Sequence, residues 1–155
     1  YRAAYMQDTL SSQEEWSPCD LSPELTKHFR GLRLWLPLKL HGLEPFKASL
    51  AEKILLCRYF YEEVAKLGFE TGPYPETSVC IYRFVPESGD ANTFNQRIVE
   101  SIIKDGSVFV SSTTIQDVYW IRIAILSFRT HIDTINRYLD LLKVALEELN
   151  YGKNT

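Results

Sequence analysis

Cysteine is scarce in this chain. Its 155 residues hold three, Cys19, Cys57 and Cys80, far apart and with no C-x-x-C pair. With the three histidines, His28, His41 and His131, they make no metal-ligand spacing, so no metal site is expected. So sparse and odd a count suits a reducing compartment rather than a disulfide framework, and Cys57 and Cys80 read as small buried apolar groups. Long apolar runs are missing too; none approaches the roughly 18 residues of a membrane span. Methionine occurs once, at Met6, and the opening YRAAYMQDTL has no apolar core of the kind a secretory leader carries. A chain starting at Tyr1 is expected to be truncated or processed, and its parent cytoplasmic. Positive charge is not in excess: 17 Lys and Arg stand against 20 Asp and Glu, with a net charge of -3 and a pI near 5.6. That argues against a nucleic-acid-binding face. Lys27, Arg30 and Arg33 form a loose basic group, read as a solvated helix face. Absent as well are G-x-S-x-G, the P-loop and G-x-G-x-x-G, so no familiar nucleophile elbow or phosphate cradle is present.

What remains is an ordinary globular composition, 45% apolar and 24% charged, long enough for one domain with a core. Residues 7–20 are polar without an apolar period and read as a mobile loop. Ser22 is a good N-cap with Pro23 at the first helical position, and Leu25, Phe29, Leu32 and Leu36 share one helix face. This predicts a helix over 23–41, kinked or broken by Pro37 and ended by Gly42. A second helix is predicted over 45–67, with Phe46, Leu50, Ile54, Cys57, Tyr61 and Val64 inward and Lys47, Glu52, Lys53 and Arg58 outward.

The apolar period then switches from helix to strand. TSVCIYRFV predicts a strand over 78–85, and Asp90 caps a helix over 91–104 carrying Phe94, Ile98 and Ile102. Asp105-Gly106 marks a turn. Strands are expected at 108–110 and 118–126. Thr130 is expected to cap a last helix over 131–150, with Ile132, Ile135, Leu139, Leu142 and Leu146 inward. The fold class is therefore α+β: a small, mainly antiparallel sheet with helices on one face.

The residues alone offer little chemistry. Glu14-Glu15 and Glu147-Glu148 are solvated charge. Arg122 interrupts the apolar run WIRIAIL and, half-buried, needs a structural partner. Tyr5 sits in a polar loop with no packing pattern around it.

Taken together, the motifs resemble one family. SPELTKHFRGLRLWLPLKLHG, with Phe29, Arg30, Gly31, Leu32, Arg33 and Trp35 on a pattern close to F-R-S-L-K-x-W, is similar to the segment after the mobile catalytic loop of group II pyridoxal-phosphate-dependent decarboxylases, which act on aromatic amino acids and histidine. TSVCIYRF, TTIQDVYWIRIAI and SFRT follow in that family's order, so the resemblance covers nearly the whole chain. It implies the C-terminal portion of a fold type I enzyme: residues 1–21 from the catalytic loop, 22–150 the small C-terminal domain, 151–155 a tail. It implies an amino-acid decarboxylase, forming an amine and carbon dioxide, as the intact parent. The cofactor would be pyridoxal 5'-phosphate, held by an upstream part, because no His-Lys pair occurs here and the family's other cofactor anchors also lie upstream. The implied partners are the N-terminal large domain, a homodimer mate and a small amino-acid substrate, with no nucleic acid and no membrane. Arg30, Arg33 and Trp35 would make interdomain or dimer contacts.

The same resemblance places Tyr5, in A-A-Y-M where the family has P-x-Y-L, on the loop tyrosine that returns a proton to the substrate's Cα while the closed loop excludes water. Counting back from Phe29, Thr26 falls where the family borders its substrate pocket. An aldehyde-forming or otherwise divergent relative, and a non-catalytic α+β interaction module, are the rival readings. An upstream H-K motif in the same reading frame would exclude the module; a start codon immediately before Tyr1 would favour it.

Overall fold

A computed structural model of the protein describes residues 26–151. They fall into two compact units, divided between Leu43 and Glu44.

The first unit contains helix α1, Leu32–His41. The helix expected from Pro23 starts later: residues 26–29 are non-helical, and a tight turn, with Leu32 N–H donating to Phe29 O and Arg33 N–H to Arg30 O, leads into it. Ser22 and Pro23 lie outside the described residues. Gly31 at the N-cap offers no side chain to fix an earlier start. Pro37 does not end the helix; it removes one backbone donor, and the helix runs on to Gly42, whose φ of 74° closes it as expected.

The second unit is built from α2 (Glu44–Lys66), β1 (Glu70–Thr71), β2 (Val79–Arg83), α3 (Ala91–Asp105), β3 (Ser111–Ile115), β4 (Val118–Ala124) and α4 (Ile132–Tyr151). The strands form one four-stranded sheet in the order β1-β2-β4-β3, antiparallel at every pairing. Alternation along the strands sends Cys80, Tyr82, Ile121 and Ile123 to one face, where they join Phe60 and Val64 of α2, Phe94, Ile98 and Ile102 of α3, and Ile135, Leu139 and Leu142 of α4 in a continuous core. The α+β class, the antiparallel sheet and the helices on one face stand as the apolar periods predicted.

Several local readings held for their stated reasons. The Asp90 carboxylate accepts from Thr93 N–H at 2.8 Å and caps α3. Gly106 ends that helix at φ 76°. Cys57 and Cys80 are buried free thiols.

Others need correction. Residues 108–110 are not a strand; Val110 is buried from an irregular segment, and the strand is the Ser/Thr-rich stretch that follows. It pairs with β4 across Gln116 and Asp117, both at positive φ (50° and 62°), a two-residue turn without the usual Asn-Gly signature. Asn92 of α3 braces that turn, donating to Asp117 O at 2.9 Å and accepting from Tyr119 N–H at 2.8 Å. The short β1 was not anticipated. It precedes Gly72, where a Cβ would come within 2.4 Å of Ile81 Cγ1. Helix α2 is rotated from the expected face: Leu50 is exposed, while Lys53, Leu56, Cys57, Phe60 and Val64 point inward. Thr130 does not cap α4. His131 O receives the first helical N–H groups, and Thr130 O is taken by Lys53.

At the centre, the Tyr82 and Tyr138 hydroxyls hydrogen-bond to each other, both rings buried. Phe60 stacks on Tyr138 and meets Tyr82 edge-on, and Phe69 meets Tyr82 edge-on. Burial raises both phenols well above the ordinary tyrosine range, so they stay neutral. Tyr82→Phe or Tyr138→Phe leaves the other hydroxyl buried without this partner and should cost about 1–3 kcal/mol. The double Phe variant should cost clearly less than the sum, a coupling read by urea denaturation of the four proteins. Additive losses would show that the pair contributes nothing.

Candidate functional site

Tyr5 lies outside the described residues. Thr26 is exposed on the non-helical stretch before α1.

What the first unit presents is a helix with no buried residue. Trp35 is 58% exposed and Leu40 68%, and Phe29 before the helix is 75% exposed. Along its side runs an open groove of about 510 Å³ lined by His28, Phe29, Leu32, Arg33, Leu36 and Pro37. The apolar side chains of this helix are exposed among the described residues.

In the second unit, the sheet face away from the helices carries the alternate residues. Arg83 donates from Nε to Glu70 Oε2 at 2.7 Å and sets its guanidinium 5.0 Å from the centroid of the Trp120 ring. Beside it, Arg122 Nε donates to Ser111 Oγ at 2.9 Å. Arg122 has a structural partner, as expected, but is exposed rather than half-buried, because strand alternation turns it outward. Half-buried Val79, Ile81 and Trp120 share this face. Fixed cations next to apolar groups suit the docking of another protein surface. No nucleophile is paired with a base there.

Lys53 was read as an outward charge and is 96% removed from solvent, with a relative exposure of 4%. Its ammonium donates to Thr130 O at 2.7 Å and to Glu52 Oε2 at 2.9 Å, and Glu52 Oε1 meets His131 Nδ1 at 2.7 Å. The hydrogen bond from Lys53, then that from His131, holds the Glu52 carboxyl below its usual range. The network fastens α2 to the start of α4. No periodicity argument could have found it, because a lysine counts as polar at any helix position. Its acceptors are a main-chain carbonyl and a carboxylate, so it is an anchor and not a free amine. It does not fit the role of a cofactor-binding lysine. Among the described residues no group of three His, Cys, Asp or Glu side chains could hold a metal ion, and no helix is long and apolar enough to cross a membrane.

No protein-family model matches the chain. Relatives are found by direct comparison. The chain is 32% identical over 141 residues to phenylacetaldehyde synthase of Petunia hybrida, a match covering 81% of this chain and 28% of that protein. It is 26% identical to tyrosine decarboxylase 2 of Arabidopsis thaliana over 76% of this chain and 22% of that protein. Among solved structures, Oryza sativa TDC with PLP and tryptamine superposes with a TM-score of 0.75 at 20% identity, over 84% of this chain and 29% of that one. At that identity the superposition shows the fold: the small α+β sheet and its helices recur there. The chain thus spans less than a third of the length of these relatives, and the family resemblance read from its motifs is borne out by what it matches.

Lys53→Ala opens a gap and leaves Thr130 O without this donor, and should cost roughly 2–4 kcal/mol. Lys53→Met keeps the packed stem and should cost less, as measured by chemical denaturation. Glu52→Gln should lower the thermal midpoint at neutral pH. A carboxyl with a depressed folded pKa adds stability above its unfolded value and loses it as pH falls through the folded one, so the difference from wild type should close in acid.

Proposed function

We propose that this chain is the C-terminal portion of a pyridoxal-phosphate-dependent L-amino-acid decarboxylase acting on an aromatic or related bulky substrate. The observation that carries the reading is the collinear match, over most of this chain, to enzymes named for aromatic amino acids and their products. In this reading, residues 1–21 belong to the catalytic loop, 22–150 to the small domain and 151–155 to a tail. The parent is a cytoplasmic homodimer, and its N-terminal large domain supplies the lysine and phosphate contacts for the cofactor.

Two surfaces support such partners. One is α1, whose exposed Trp35 and Leu40, with Arg30 and Arg33 nearby, suit interdomain or dimer contact. The other is the outer sheet face around Arg83, Trp120 and Arg122. Burying apolar side chains of this size stabilises by about 1.5–3 kcal/mol each.

Pyridoxal phosphate, when bound, is an electron sink for the charge left as carbon dioxide departs. The task left to this chain is protonation at the substrate's Cα, which the reading gives to the Tyr5 phenol. Thr9, Ser11 and Ser12 on the same loop are far weaker acids. Thr26 borders the substrate.

A second reading has support of its own: an aldehyde-forming parent, because the Petunia relative is a phenylacetaldehyde synthase. The test is to assay amine, aldehyde and carbon dioxide from the intact enzyme, wild type beside Tyr5→Phe. Phe keeps the ring and removes only the proton. Amine formation should fall by about 100-fold or more while carbon dioxide release persists in part and some aldehyde appears. Amine at the wild-type rate would remove Tyr5 from the mechanism, and a wild type that makes only aldehyde would establish the second reading. A gene with no H-K motif upstream of Tyr1 would overturn the decarboxylase assignment.

A further inference from the structure

The two edges of the sheet differ. β1 is two residues long, carries Glu70 with its Arg83 partner, and runs into Gly72 and Pro73. An edge that is short, charged and followed by proline resists pairing with another strand. β3 is the opposite edge, and among the described residues no strand lies on its far side. Its sequence, Ser111-Ser112-Thr113-Thr114-Ile115, holds no charge and no proline. Ser112 and Thr114 are exposed, so the helices do not cover this rim.

The register shows which backbone groups are open. A two-residue turn closes on a hydrogen-bonded pair, here Ile115 with Val118, and such pairs then alternate: Thr113 with Trp120, Ser111 with Arg122. These three residues of β3 direct their N–H and C=O to β4. Ser112 and Thr114 direct theirs to the open edge. The partner strand follows the same alternation: Tyr119, opposite Thr114, gives its N–H to Asn92 Oδ1 at 2.8 Å and not to β3.

We propose that β3 pairs with the β3 edge of a second copy of the chain, antiparallel about a two-fold axis at Thr113, joining the two four-stranded sheets into one. In that register Ser112 of one copy stands opposite Thr114 of the other, and the two exchange both N–H···O=C bonds. The axis makes the same pair twice. Thr113 faces its own symmetry mate, and Ser111 faces Ile115. A second copy fits better than an unrelated strand because the edge is its own complement. Every open donor meets an open acceptor, no like charges come opposite each other, and the hydroxyl and β-branched side chains suit cross-strand pairing. Phe109 is 84% exposed just before the strand and Ile115 46% exposed at its end. Antiparallel pairing brings the Phe109 end of one copy to the Ile115 end of the other.

The test uses the full chain in sedimentation velocity over a concentration series, and the expected result is a monomer–dimer equilibrium. Thr114→Pro removes one outward N–H from each copy. It leaves the bonds to β4 in place, because that N–H does not face β4, and an edge strand accepts proline there. It should raise the dimer dissociation constant about tenfold or more, since the bond is lost twice. The second measurement is disulfide cross-linking in a Cys19→Ser background. Thr113→Cys should form a 113–113 dimer under mild oxidation, because residues facing each other in a non-hydrogen-bonded antiparallel pair lie within disulfide reach. Ile115→Cys should not link to itself, but should link to Ser111→Cys when the two are mixed. If Thr114→Pro does not fold, the cross-linking pattern still decides. A chain that stays monomeric at every concentration would overturn the proposal. So would a dimer that Thr114→Pro leaves unchanged, or one in which Ile115→Cys links to itself as fast as Thr113→Cys; each would place the contact elsewhere.

Discussion

The hydroxyl pair of Tyr82 and Tyr138 lies where β2 and α4 meet, in an interior otherwise filled by Phe60, Phe69, Ile98, Ile121 and Leu142. Each phenol has polar capacity that must be met away from water, and each is met by the other. That requirement fixes the depth of α4 over the sheet and the rotation of α2, since Phe60 packs on both rings. A small shift of either element would strand two hydroxyls at once. The Lys53 network is a second polar tie of this kind, from the interior of α2 to the start of α4. Asn95 is a third, with its amide satisfied by Phe84 N–H and O and by Ala91 O. Among the described residues no buried side-chain polar atom is left without a hydrogen bond.

One-sidedness is the other organising feature. The helices cover one face of the sheet, and the opposite face keeps Trp120, Ile81 and the two braced arginines. In the first unit α1 buries none of its residues. Among the described residues, satisfied polar groups inside thus accompany apolar groups left on the surface.

Legibility followed physics. α3 could be read almost to the residue, because Asp90 caps it, Gly106 ends it and its inward side chains are plainly apolar. β2 and β4 could be read because β-branched and aromatic side chains alternate along them. β3 could not: its Ser-Ser-Thr-Thr run is held by pairing to β4 and by Asn92 reaching from α3 to the turn, and neither contact is local. The helical face of α2 was misjudged because Leu50 and Leu55 are apolar yet exposed in this unit, while Lys53 is charged yet buried. Of the site, Tyr5 and Thr26 were legible only through family resemblance. No local pattern distinguishes a proton-donating loop tyrosine from any other.

By itself the sequence determined most element types, the α+β class, the Asp90 and Gly106 caps of α3 and the family resemblance, because these rest on short-range sterics, periodicity and motif order. Tertiary structure alone decided what a lysine at position 53 is for, that Tyr82 answers Tyr138, and that Arg122 points outward. Each of these depends on which distant group arrives across the core. Sequence spacing does not encode that arrival; packing of the helices on the sheet does.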